Sequence, residues 1–187
     1  MKQDFEQSRN EILEEIRIAL GIIDSDSLQG LIDAIETSEQ VFFIGVGRVF
    51  LALRMFAKRL NHLGVSAHCV GDINETALKP GDLLIVGSGS GESIIPVAIT
   101  KKAKQLGAKI VHIGSNPRGT ISEFTDLMVR IPVKTKLNLE DEIESNQLMS
   151  SLFEQCLFLL GDVVCLVIAK KRNIDIDALW KYHANLE

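Results

Sequence analysis

The chain has no basic surplus, and that lack removes a large class of partners. Its 187 residues carry 20 Lys and Arg against 25 Asp and Glu, a formal charge of −5. A nucleic-acid backbone needs a basic face, so no nucleic-acid partner is expected. Cysteine is scarce as well. Cys69, Cys156 and Cys165 are odd in number, lie in apolar runs and lack metal-ligand spacing. They read as reduced, buried thiols of a cytoplasmic protein. Met1-Lys2-Gln3-Asp4 opens no signal peptide. The longest apolar run, residues 156–169, contains Asp162 and is too short to span a bilayer, so no membrane partner is expected. The four histidines share no metal-ligand spacing, and no metal is expected. Aromatic residues are few at 5%, but the hydrophobic share of 46% suffices for one domain over residues 1–187.

The pattern of the chain changes near residue 40. Before it, residues 1–40 hold ten acidic and three basic side chains, which reads as a charged helical face in water. Phe5, Ile12, Ile16 and Leu20 mark an amphipathic helix that stops at Gly21. Asp24 or Ser25 caps a second helix to Thr37, so residues 1–38 form an N-terminal helical segment without a chemical motif. Within residues 40–131, apolar runs at 41–44, 65–70, 83–86, 110–113 and 127–131 read as five strands. Helices follow the first, third and fourth, the first of them ending at His62 before Gly64. Short apolar strands alternating with helices predict an α/β fold with a parallel sheet covered on both faces.

A polar connection over 132–143 leads to a helix from Ser145 or Asn146 to Lys171, apolar on nearly every side between Leu148 and Val167. Such a helix is expected to be buried all round, between subunits of a homo-oligomer. A short helix at 174–181 and the tail 182–187 complete the C-terminal segment 145–187.

The stretch around which this order turns is Gly87-Ser88-Gly89-Ser90-Gly91-Glu92-Ser93, between the third strand and the helix after it. Its glycines allow a sharp turn and close approach of a ligand. Its serines offer donors beside the free N–H groups of a helix start, where the helix dipole favours negative charge. A plain turn needs one serine; three suit an oxyanion such as phosphate. No lysine follows the glycines of a Walker pattern, and Phe50 replaces the third glycine of a dinucleotide fingerprint in Gly45-Val46-Gly47-Arg48-Val49-Phe50. The Gly47-Arg48 turn and the serine loop share the carboxyl edge of the sheet, where ligands bind at the switch in strand order. Arg48 opens a helix, against the dipole, and reads as an anion or carboxylate clamp. Glu154 lies in an otherwise apolar helix and is the candidate general base, the alternative being a structural Glu paired with Arg. His68 and His112 fall in strands as core residues making one hydrogen bond.

Gly45-x-Gly47-Arg48, Arg59-Leu60-Asn61-His62-Leu63-Gly64, Gly87-Ser88-Gly89-Ser90-Gly91-Glu92, Leu152-Phe153-Glu154-Gln155 and the closing His183-Ala184-Asn185-Leu186-Glu187 resemble the 6-phospho-3-hexuloisomerase family of the sugar-isomerase (SIS) domain superfamily. The likeness runs nearly end to end. It implies a five-stranded parallel sheet flanked by helices, a flavodoxin-like three-layer sandwich, assembled as a cytoplasmic homotetramer without a cofactor. It further implies conversion of 3-hexulose 6-phosphate to fructose 6-phosphate, a step of formaldehyde assimilation through ribulose monophosphate. By position, Ser88, Ser90 and Ser93 match the phosphate ligands, with Gly47 and Arg48 beside them. Glu154 matches the base, and His62 and His183 match histidines serving the ring or proton transfer. The chain departs from the family at Val49-Phe50 (usually Ser-Gly), Asn61 (Met), Asp72 (Glu), Glu75 (Thr) and Ser93 (Thr). A regulatory phosphosugar-binding protein, or an isomerase of another sugar phosphate, is the alternative expectation.

Overall fold

Short, mostly apolar runs of three to six residues, two of them without any polar side chain, belong in the middle of a layered structure. The computed structural model describes residues 1–182 and arranges those runs as one sheet. The strands are β1 (Val41–Ile44), β2 (Ala67–Cys69), β3 (Leu83–Gly87), β4 (Lys109–Gly114) and β5 (Leu127–Arg130). All pair in parallel, in the order β2-β1-β3-β4-β5. The helices are α1 (Lys2–Gly21), α2 (Ser25–Thr37), α3 (Gly47–His62), α4 (Ile94–Gln105) and α5 (Ser151–Lys171). Asp24 caps α2, its carboxylate accepting from the Ser27 N–H at 2.7 Å.

The two faces of the sheet are covered unequally. Phe43, Ile85 and Ile113 face one core shared with α2, α3 and α5, against which α1 also packs. Phe42, Leu84 and Val86 face a smaller core closed by α4 and the 3-10 turn Thr120–Phe124. That turn stands where a helix was expected after the fourth strand. Pro117 and Gly119 leave too little helix-forming chain there. Strand β2 is shorter than the expected 65–70, because an edge strand is held from one side only. The Asn61 side chain brackets its first residue, donating to the Ala67 carbonyl and accepting from the Ala67 N–H.

α5 corrects two expectations. It begins at Ser151, not at 145 or 146, because Ser145, Asn146 and Gln147 spend their polar groups on Glu11 and Glu15 of α1. At 21 residues it is long and apolar enough, by length and composition, to cross a membrane, as the run 156–169 alone is not. Its inner face, with Leu152, Phe153, Leu157 and Leu160, belongs to the main core, as in the core helix of a folded domain. Nor is it buried all round within one chain: Val163, Leu166 and Val167 are 49%, 45% and 40% exposed. The last expected helix is a 3-10 segment, Asp177–Tyr182.

Candidate active site

Reversal of strand order falls between β1 and β3. The chain steps from β1 out to β2 and returns past β1 to β3, so the segments leaving β1 and β3 diverge and leave a crevice at their carboxyl ends. A cavity of about 190 Å³ occupies it, lined by Val46 and Val49 after β1, Gly87 to Ser90 and Ser93 after β3, and Thr135, Lys136, Ser150, Phe153 and Glu154 from the far side.

The serine loop is tied down through its carbonyls. The Ser88 carbonyl accepts from His112 Nε2 at 3.0 Å, and the Gly89 carbonyl from the N–H groups of Ser115 and Asn116, both at 3.0 Å. Asn116 Nδ2 donates to the Ser90 carbonyl at 3.0 Å, and the Ile121 N–H to the Gly91 carbonyl at 3.1 Å. In a trans peptide the N–H points opposite to the preceding carbonyl. Anchoring the Ser88 and Gly89 carbonyls on the β4 side therefore turns the Gly89 and Ser90 N–H groups away from it. Neither makes a hydrogen bond within the described residues. Ser88 and Ser90 brace the loop, their hydroxyls accepting from the Gly91 and Glu92 N–H groups at 3.1 and 3.3 Å, and each keeps a hydroxyl proton to donate. Ser93 precedes the first turn of α4 but makes no side-chain cap bond, so its hydroxyl is uncommitted.

The Glu92 carboxylate turns away from the cavity to Thr120, accepting from its N–H at 2.9 Å and its hydroxyl at 2.8 Å. Those hydrogen bonds, the hydroxyl's first, hold its pKa below the usual carboxylate range. His112 is wholly buried beneath the loop. Desolvation pushes its pKa below that of a free imidazole, more than the bond to Ser88 raises it. The ring is thus neutral at neutral pH, and Nε2 carries the proton because a carbonyl can only accept. Burial pushes the Cys69 thiol up to about 11 and those of Cys156 and Cys165 to about 12, which keeps all three protonated.

Across the cavity, Glu154 sits in the first turn of α5 with its side chain 15% exposed, and its Oε2 accepts from Arg48 Nε. Oε1 makes no hydrogen bond within the described residues. Gly47, at φ +57°, makes the bend that starts α3 and turns Arg48 toward α5. Six of the candidate residues thus meet in one region: Gly47, Arg48, Ser88, Ser90, Ser93 and Glu154. His62 does not join them within one chain. It ends α3, about 22 Å along the helix from Gly47 at 1.5 Å per residue, and lines a separate cavity with Arg59 and Trp180. His183 lies outside the described residues. Thr135, Lys136 and Ser150 escaped sequence reasoning, since nothing local marks a polar connection that folds back over a cavity. Among the described residues no three His, Cys, Asp or Glu side chains converge as a metal-binding group would require.

A doubly wound parallel sheet whose switch point carries a glycine- and serine-rich loop with free N–H groups, facing a carboxylate, defines an α/β protein with a crevice suited to a small anionic ligand. The SIS domain family model matches residues 34–159, and the chain belongs to that family. It is 38% identical, over 95% of its own length and 96% of the other's, to a 3-hexulose-6-phosphate isomerase of Bacillus subtilis. A 3-hexulose-6-phosphate isomerase of Mycobacterium gastri is 35% identical over 94% of this chain and 88% of that one. A crystal structure from Methanococcus jannaschii, for which a function of 3-hexulose-6-phosphate isomerase is inferred, superposes with a TM-score of 0.84. It is 31% identical and covers 97% of this chain and 99% of the other.

Proposed function

We propose that this chain is a phosphosugar isomerase that interconverts 3-hexulose 6-phosphate and fructose 6-phosphate through an enediolate. The observation that carries the reading is the single cavity with uncommitted donors on one wall and the Glu154 carboxylate on the other. The phosphate is held by the Gly89 and Ser90 N–H groups and the hydroxyls of Ser88, Ser90 and Ser93, which fixes the sugar in register. Arg48 holds Oε2 of Glu154, leaving Oε1 to take the proton from C2, next to the C3 carbonyl. The O2 proton passes to O3 in the enediolate, and the proton taken from C2 returns at C3, so that the carbonyl stands at C2 and a hydroxyl at C3. The enzymes named above, 38% and 35% identical to the chain, support this substrate over other sugar phosphates.

His62 is too far from Glu154 to act in the same chain, and we assign it, with His183, to the site of a neighbouring subunit in a homo-oligomer, a tetramer by family likeness. The exposed apolar face of α5 and the exposed Leu51 and Met55 of α3 support such packing. Protonated, buried thiols accord with a reducing, cytoplasmic setting. The test is formation of fructose 6-phosphate from 3-hexulose 6-phosphate by purified protein in the presence of chelator. Tight sugar-phosphate binding without turnover would favour a regulatory binding protein, and activity restored only by a divalent ion would sink the metal-free mechanism.

A further inference from the structure

Resting on the phosphosugar reading, we propose that Lys136 is a phosphate-binding cation of this site, positioned by the buried carboxylate of Glu142. A substrate phosphate entering the cavity brings up to two negative charges close to Glu154. Among the described residues that line the cavity, only Lys136 is cationic. Arg48 is committed to Glu154. The Lys136 ammonium makes no hydrogen bond or ion pair within the described residues, while Lys134, two positions earlier, is paired with Glu144. Its field already reaches the serine loop, where it contributes to lowering the Glu92 pKa.

The reach of Lys136 is set by the segment that bears it. Residues 132–143 leave β5 and return on themselves. The Ile143 N–H donates to the Pro132 carbonyl at 2.8 Å and the Lys134 N–H to the Ile143 carbonyl at 2.9 Å. Inside this strap Glu142 is 9% exposed and has no cation within bonding distance among the described residues. Its carboxylate instead accepts from the Ser115 hydroxyl at 2.8 Å, the Thr135 hydroxyl at 3.0 Å, and the N–H groups of Thr135 and Leu139 at 3.2 and 2.9 Å. A buried carboxylate is costly, and several donors aimed at it make its burial tolerable. What this arrangement secures is the place of Thr135 against the serine loop. The Thr135 methyl lies 3.2 Å from where a Cβ on Gly89 would stand. The next residue, Lys136, is thereby delivered to the rim of the phosphate pocket. Ser115 joins the two halves of the device, because its own N–H holds the Gly89 carbonyl while its hydroxyl holds Glu142.

The experiment is calorimetric titration of the full chain with inorganic phosphate and with fructose 6-phosphate at low and high salt. Lys136→Met keeps the stem and removes the charge, at an exposed position where folding is not at stake. It should raise both dissociation constants about tenfold at low salt, with the difference shrinking as salt screens the wild-type charge. Lys136→Arg should bind within about twofold of wild type. Glu142→Gln presents an amide where four donors converge and should weaken phosphate binding by a similar factor. Added to Lys136→Met it should weaken binding little further, since the two act as one unit. If Glu142→Gln misfolds, Ser115→Ala removes a single donor and serves in its place. Unchanged phosphate binding in Lys136→Met, or no measurable binding of phosphate by wild type, overturns the proposal. Additive losses in the double variant overturn the role of Glu142. A wild type that binds both ligands but turns over no hexulose 6-phosphate refutes the isomerase reading, and Lys136 is then judged on the dissociation constants alone.

Discussion

Arg48, at the start of α3, and Glu154, in the first turn of α5, form an ion pair across the mouth of the cavity. The guanidinium is 66% exposed and the carboxylate 15%. An ion pair with one partner so open contributes about 0–1 kcal/mol to stability. Its value lies in orientation, since it fixes one carboxylate oxygen and leaves the other facing the cavity. Glu154→Gln should cut turnover about 10²–10⁴-fold with an unchanged melting temperature. Arg48→Ala should lower kcat with little effect on melting. A folded Glu154→Gln protein with near-normal turnover would move the base elsewhere.

Val163, Leu166 and Val167 form an outward apolar face on a helix whose inward face is already core. Static light scattering at micromolar concentration should therefore report an oligomer. Leu166→Lys should break it into smaller species and abolish turnover, because His62 would no longer reach a neighbour's site. A stable wild-type monomer with full activity would contradict both the packing and the shared site.

The sheet was legible because its strands are short, mostly apolar runs, β1 and β3 wholly so, and the switch point followed from the two glycine-rich turns that leave β1 and β3. The awkward place of Arg48 at a helix start marked it as an anion or carboxylate clamp, but its pairing with Glu154 was not legible locally. What local sequence could not show were the contacts made between distant segments. The start of α5 moved to Ser151 because three polar side chains found Glu11 and Glu15 some 130 residues earlier in the chain. Thr135 and Lys136 reach the cavity only because Glu142 folds their segment back on itself. The carbonyl anchors of the serine loop come from residues 112–121, which carry no motif.

Val49 lines the serine-loop side of the cavity where the family usually has a serine, and its Cγ1 packs 2.9 Å from where a Cβ on Gly87 would stand. A hydroxyl donating to an ionised phosphate is worth about 1.5–3 kcal/mol. Val49→Ser should tighten fructose 6-phosphate binding about tenfold, less than the full range because apolar packing against Gly87 and Leu53 is lost. Equal or weaker binding by calorimetry would mean that the valine belongs to a differently shaped site.

His112 ties the floor of the serine loop to the ionisation of a buried ring. Its pKa is depressed in the folded chain by desolvation, so the unfolded chain binds a proton more readily than the folded one. Stability is therefore fully present above the unfolded pKa of about 6.5 and falls as pH drops from there toward the folded pKa. The slope from this one group cannot exceed about 1.4 kcal/mol per pH unit. Carboxylates whose pKa is lowered by their partners, such as Glu36 beside Lys171 and Arg172, lose their contribution only further into acid, below about 4.5. A fall in urea midpoint as pH drops below about 6.5 is the direction expected from His112. His112→Gln keeps a donor for the Ser88 carbonyl without a titrating proton, and it should flatten that segment of the profile while retaining phosphate binding. A His112→Gln profile parallel to wild type between pH 5 and 6.5 would show that the acid loss arises from another group.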